Sequence, residues 1–355
     1  MLDKVLNARS DNLQILRFAA AGLVLITHIT FYLHERVNVA VSVWHGGEIG
    51  VPIFFVISGF VMLLSGNKLA RSADGAKIFL IRRYARVLPL YWLITTIKIV
   101  LVFAIPAAVL HNRPDMLKTI ASYALFPMFN ADGEVRPIHG VGWTLLHEMF
   151  FYYVFSLALV LRQSPLVFAS LSIIFLCSLG LVLPAESAFT VVVFSNLNLL
   201  FVAGMVLASL YMKNLRLPPL IAALLLVCSV AAIALPDLNQ IVRSSVGSFK
   251  LEAVLIVAAM LSLGLDGWPG LKKLLVRLGD SSYSLYLVHP IIAPMVCLTL
   301  FKLGLRSPGL ILGGTILVVV PIAHLIYLLI EKRMNQKVLS TFKNRLLPAP
   351  RVSTF

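Results

Sequence analysis

Arg17 and His28 are the first residues of the chain whose types and spacing suit chemistry. They stand eleven positions apart in RFAAAGLVLITH. At about 100° per residue this spacing returns them to one face of a helix, and at about 1.5 Å per residue it separates them by ~16 Å along the axis. An arginine fork holds phosphate, and an imidazole abstracts protons near neutral pH. A substrate with a phosphate head and a long thin arm fits that separation. The blander alternatives are an Arg17 that snorkels to an interface and a neutral His28 bonded to a neighbouring helix.

Glu148 sits in GVGWTLLHEMFFYYVF, five residues or ~7 Å beyond Trp143. Trp143 suits a membrane interface, and Thr144, Glu148 and Tyr152 at i, i+4 and i+8 form one polar stripe. Counted from the same side, Glu148 and His28 fall at similar depth. The carboxylate is therefore expected beside the imidazole, fixing its tautomer and stabilising the imidazolium; His147 is the other companion available to Glu148.

Arg82, Arg83 and Arg86 crowd FLIRRYARVLPLYW at the entrance of a third helix, where they serve either phosphate recognition or topology. GVPIFFVISGF at 50–60 places Gly50, Ser58 and Gly59 in an aromatic helix, where small residues allow close packing. In SSYSLYLVHP, Tyr283, Tyr286 and His289 recur every third residue before Pro290. The proline is expected to bend or interrupt the helix, leaving a polar-lined kink that borders a cavity or satisfies freed backbone.

These residues need a membrane around them. Of 355 residues, 59% are hydrophobic and only 13% charged, with a mean hydropathy of +0.94, outside the range of a water-soluble domain. Runs long enough to cross a bilayer occur at 12–33, 50–66, 84–109, 143–161, 166–183, 191–211, 217–235, 250–266, 282–303 and 309–330. They predict an all-α polytopic protein of about ten transmembrane helices. The apolar stretch at 117–129 is too short to span and is expected to lie in the interface or re-enter.

With the N-terminus inside, the inner segments hold twenty Lys and Arg and the outer ones eight, which predicts cytoplasmic termini. The inner set includes Lys4, Arg9 and Arg351, the outer set Arg113 and Arg243. Residues 1–340 read as one membrane domain and 341–355 as a basic cytoplasmic tail, with no fused extracytoplasmic domain. Basic residues confined to short gaps argue against nucleic acid as a partner. Cys177, Cys228 and Cys297 lie in apolar runs without metal-ligand spacing, so no metal is expected. Intramembrane charges also suit a transporter or flippase, although the paired broken helices of transporters are not apparent.

In order along the chain, these segments resemble the acyltransferase-3 family of membrane O-acyltransferases, especially bacterial exopolysaccharide O-acetyltransferases. Arg17 and His28 match its first-helix pattern, GVPIFFVISGF its second-helix signature and Arg82, Arg83 and Arg86 its basic motif. GVGWTLLHEMFFY is similar to its Trp and Glu motif, and SYSLYLVHP to its penultimate-helix segment. The resemblance implies transfer of an acyl group, usually acetyl from cytoplasmic acetyl-CoA, to a hydroxyl of a polysaccharide or lipid-linked glycan at a bacterial inner membrane. Macrolide acceptors and a partnership with polysaccharide export machinery stay open. On this basis His28 and Glu148 are the expected catalytic pair, and Arg17, Arg82, Arg83 and Arg86 the donor-binding residues. Ser58, Trp143, Tyr152, Tyr283, Tyr286 and His289 are expected to line the cavity.

Overall fold

The computed structural model describes residues 11–104, 115–234, 250–264 and 269–346. Lys4, Arg9, Arg113, Arg243, Arg351 and the 347–355 part of the expected tail lie outside these residues. Among the described residues the fold is all-helical, apart from an isolated bridge between Phe129 and Val135.

In chain order the helices are α1 (Asp11–Arg36), α2 (Gly50–Gly66), α3 (Ala73–Ala104), α4 (Met116–Ala124), α5 (Trp143–Val160), α6 (Pro165–Leu179) and α7 (Ala188–Val193). They continue as α8 (Leu199–Met212), α9 (Pro219–Ala234), α10 (Lys250–Ser262), α11 (Pro269–Asp280), α12 (Ser282–Lys302), α13 (Pro308–Ile326) and α14 (Lys332–Leu346). Within the described residues each of the ten expected runs falls largely on helix. Among the described residues seven helical stretches are long and apolar enough to cross a bilayer, whereas α6, α9 and α10 are shorter. Leu, Val, Ile and Phe exposed along α6 and α9 match a lipid-facing solvent, because hydrocarbon imposes no penalty on apolar surface.

The interior is aromatic and tightly approached. Phe201 of α8 stacks on Phe55 of α2 and Phe151 of α5, with ring centroids 4.7 and 4.6 Å apart. The α2–α8 contact depends on glycine: a Cβ on Gly59 would collide with the Phe201 carbonyl, and one on Gly204 with the Val56 carbonyl. Gly59 therefore serves packing. At one end of α1, Asn12 Nδ2 donates to the Met260 and Leu263 carbonyls at 2.9 and 2.6 Å. It satisfies orphan acceptors at the end of α10.

Three local findings refine the expectations. The α3 helix starts at Ala73, so Arg82, Arg83 and Arg86 sit well inside it instead of at its mouth. The 117–129 segment is helical only to Ala124, as α4, which docks on α3 where Tyr91 Oη and Trp92 Nε1 donate to the Ser122 and Tyr123 carbonyls. Pro290 and Pro294 do not interrupt α12, which stays helical from Ser282 to Lys302. Neighbouring helices can re-satisfy backbone that proline frees.

Candidate functional site

Two cavities open along α1, one at Arg17 and one at His28. The arginine cavity is lined by Arg17, by Arg83 and Arg86 of α3, by Ser58 of α2, by Thr144, Glu148 and Tyr152 of α5, and by Ser282, Tyr283 and Tyr286 of α12. One helix turn separates Arg83 from Arg86 in sequence, which carries both to the same wall. Arg83 Nη2 donates to Ser65 Oγ at 2.8 Å, and its guanidinium lies 5.5 Å above the Phe79 ring. Its buried Nε has no hydrogen-bond partner among the described residues. No carboxylate among the described residues comes within ion-pair distance of Arg17, Arg83 or Arg86. Arg82 is exposed and does not line the cavity.

Glu148 belongs to this cavity. Its Oε1 accepts from Ser58 Oγ at 2.6 Å and its Oε2 from Tyr152 Oη at 3.1 Å. Tyr283 Oη donates to the Val87 carbonyl at 2.8 Å, fixing α12 against α3. A second carboxylate was not expected from sequence. Glu331 is 4% exposed, accepts from Ser284 Oγ, and stands within electrostatic range of Arg17 and Arg86. It closes a π-helical turn, Tyr327–Glu331, between α13 and α14, and such turns re-aim a side chain by shifting helical register. In the sequence it reads only as the start of EKR at a basic helix end.

The histidine cavity is the larger, about 1480 Å³ of empty space against about 740 Å³. It takes His28, Tyr32 and Arg36 from α1, Lys98 from α3, Pro290 and Pro294 from α12, and Asn130, Asp132, Glu134 and residues 136–141 from the segment before α5. In that loop Arg136 Nε pairs with Glu134 Oε2 at 2.9 Å. His139 is buried there with Nε2 unpartnered; burial, and secondarily the Lys98 charge, hold its imidazole down at about 4. These loop residues carried no motif that singled them out.

His28 and Glu148 thus line different cavities. Similar depth along two antiparallel helices fixes height and leaves lateral position open, so the expected pairing does not form. The nearest ring to His28 is His289, with centroids 4.8 Å apart. His289 is fully buried and lies behind His28, on neither cavity wall. His147 is committed to Asn198 at 2.9 Å, and Trp143 packs edge-on against His147 outside both cavities.

Tyr286 separates the two chambers. Its hydroxyl lies 3.1 Å from Thr144 Oγ1 and donates to the Val141 carbonyl at 3.1 Å. Thr144 and Tyr286 face the arginine cavity and Val141 the histidine cavity. This contact forms a thin polar septum. Guanidinium forks on one side and a partly exposed imidazole on the other suit transfer of a group from a phosphate-bearing donor to a second substrate.

Comparison with known proteins identifies the reaction class as acyl transfer. The family model described as an acyltransferase domain matches residues 10–328. The chain is 32% identical over 282 residues to the exopolysaccharide production protein ExoZ of Rhizobium meliloti (strain 1021), covering 76% of this chain and 86% of that one. It is 26% identical over 321 residues to the acyltransferase MdmB of Streptomyces mycarofaciens, covering 79% and 78%. No solved structure gives a significant match.

Proposed function

The chain belongs to the acyltransferase-3 family and is an acyltransferase; from that premise we propose that it moves an acetyl group from acetyl-CoA to a hydroxyl of a surface or lipid-linked polysaccharide. The observation that carries this is the placing of Arg17 and His28 on one helix in two separate cavities. Three arginines with no carboxylate at ion-pair distance among the described residues, one with an orphaned Nε, suit the phosphates of coenzyme A. The resemblance to an exopolysaccharide production protein supports a glycan acceptor, and the larger cavity has the room for one.

In this scheme Arg17, Arg83 and Arg86 hold the donor phosphates on the cytoplasmic side, and the acyl end reaches past Tyr286 toward His28. His28 Nε2 takes the proton of the acceptor hydroxyl as its oxygen attacks the thioester carbon. The new ester C–O bond forms, the C–S bond breaks, and the imidazolium returns its proton to the departing sulfur. Both termini are then cytoplasmic, in the bacterial inner membrane, and the acceptor arrives from extracytoplasmic polysaccharide assembly or export machinery.

The test is reconstituted protein with labelled acetyl-CoA and de-O-acetylated polysaccharide from a deletion strain, read by mass spectrometry. Wild type should restore ester, and His28→Ala should lose on the order of 10²–10⁴ in rate while still binding donor. Undiminished transfer by His28→Ala would remove His28 as the base.

A further inference from the structure

We infer that His289 is the positioning residue of His28, fixing its tautomer and receiving the hydrogen bond of its charged form. The inference rests on His28 being the base.

The hydrogen positions follow from the acceptors. His28 Nδ1 lies 2.9 Å from the Val24 carbonyl, and His289 Nδ1 lies 3.0 Å from the Leu285 carbonyl. A carbonyl only accepts, so each Nδ1 carries its hydrogen. That leaves His289 Nε2 as a lone pair, and it points at His28 Nδ1 from 3.3 Å. The Nδ1–H of His28 is therefore shared between a carbonyl and a second imidazole, and its Nε2 is left as the basic atom for the cavity.

When Nε2 gains a proton, the positive charge spreads over the ring and strengthens the bond to His289 Nε2, since charge-assisted bonds are the stronger ones. His289 suits this duty because it is rigid: it is fully buried, its own Nδ1–H is anchored one turn back on α12, and Pro290 follows it directly. The orienting role expected of Glu148 thus falls to a neutral acceptor. The other charged or titratable groups facing His28 are Tyr32 and Arg36 on α1, Lys98 on α3, and Asp132, Glu134, Arg136 and His139 on the loop, with Glu48 ahead of α2 in electrostatic range. Among the described residues none of them makes a hydrogen bond to its ring.

Glutamine and asparagine separate the two ring nitrogens. His289→Gln can offer Oε1 where Nε2 stood; His289→Asn reaches only the Nδ1 position and leaves His28 without its partner. With reconstituted full-length protein, acetyl-CoA and polysaccharide acceptor, Gln should stay within about threefold of wild-type kcat. Asn and Leu should fall on the order of 10- to 100-fold, the cost that losing an orienting partner has for metal-bound imidazoles, with the KM for acetyl-CoA unchanged. Placed in a His28→Ala background, His289→Asn should cause no further loss, because a residue acting only through His28 has nothing left to act on. Wild-type turnover by the Asn variant, equal loss in Gln and Asn, or an additive loss in the double variant would each overturn the role of His289. The His28→Ala arm alone reports failure of the base, so the two outcomes stay distinct. If Leu does not fold, the Gln and Asn comparison decides.

Discussion

Ser58 Oγ donates to Glu148 Oε1 at 2.6 Å across the arginine cavity, tying α2 to α5 and leaving a carboxylate among three arginines. Glu148 is thus part of the cavity that is proposed to hold the donor. Glu148→Gln keeps one acceptor and lets a hydroxyl rotate to meet its amide, but it removes a negative charge close to bound phosphates. Acetyl-CoA should bind severalfold more tightly at low ionic strength, with the gain shrinking in salt as screening grows. Equilibrium binding in detergent would measure this; weaker binding in Gln would mean that Glu148 contacts the donor directly.

The arginines should separate by position. Removing Arg83 or Arg86 should weaken acetyl-CoA binding on the order of tenfold or more, since each charge-assisted bond to phosphate is worth about 1.5–3 kcal/mol. Arg83→Lys should fail to restore it, because a point charge does not reproduce a fork. Arg82→Ala should bind like wild type, as Arg82 is off the cavity wall. Isothermal titration against coenzyme A distinguishes these, and equal losses at all three would point to net charge alone.

Tyr286→Phe keeps the ring and removes the hydroxyl that bridges Thr144 and Val141. The stability cost should be about 1 kcal/mol. Water should reach the thioester more readily, raising acetyl-CoA hydrolysis without acceptor relative to transfer. An unchanged ratio would show that the septum is sealed by the ring and not by the hydroxyl.

His139 gives a pH signature. Its imidazole is held at about 4 from an ordinary value of 6.5, so between those values the unfolded chain binds more protons than the folded one. The stability it contributes is complete above about 6.5 and is lost as pH falls toward about 4. Thermal unfolding in detergent should decline through that window more steeply in wild type than in His139→Gln, which cannot charge. Parallel curves would assign the acid sensitivity to another group.

Much of the fold was legible because lipid-crossing helices announce themselves by length and composition; within the described residues each of the ten expected runs falls largely on helix. The spacing of Arg17 and His28 sufficed to put both on the inward side of α1. Lateral relationships were not legible. Residue counting along α1 and α5 equalised the depth of His28 and Glu148 but carried no information on which neighbouring helix would come between them. Glu331 was hidden because a π-helical turn changes register without a sequence mark, and its neighbours Lys332 and Arg333 read as topology. His289 stood out by its spacing in SYSLYLVHP, yet its contact with His28 joins positions 261 apart.

The septum also has an electrical consequence. If, on the proposed topology, the two chambers admit water from opposite faces of the membrane, most of the transmembrane voltage falls across the layer between them, at the Tyr286–Val141 contact. Carrying one elementary charge across the full voltage takes about 2.3 kcal/mol per 100 mV. An acyl group is neutral, and a donor anchored by its phosphates leaves its charges on the arginine side of that layer. Passage of the group past Tyr286 is then electrically silent, so its rate should be indifferent to the energised state of the cell.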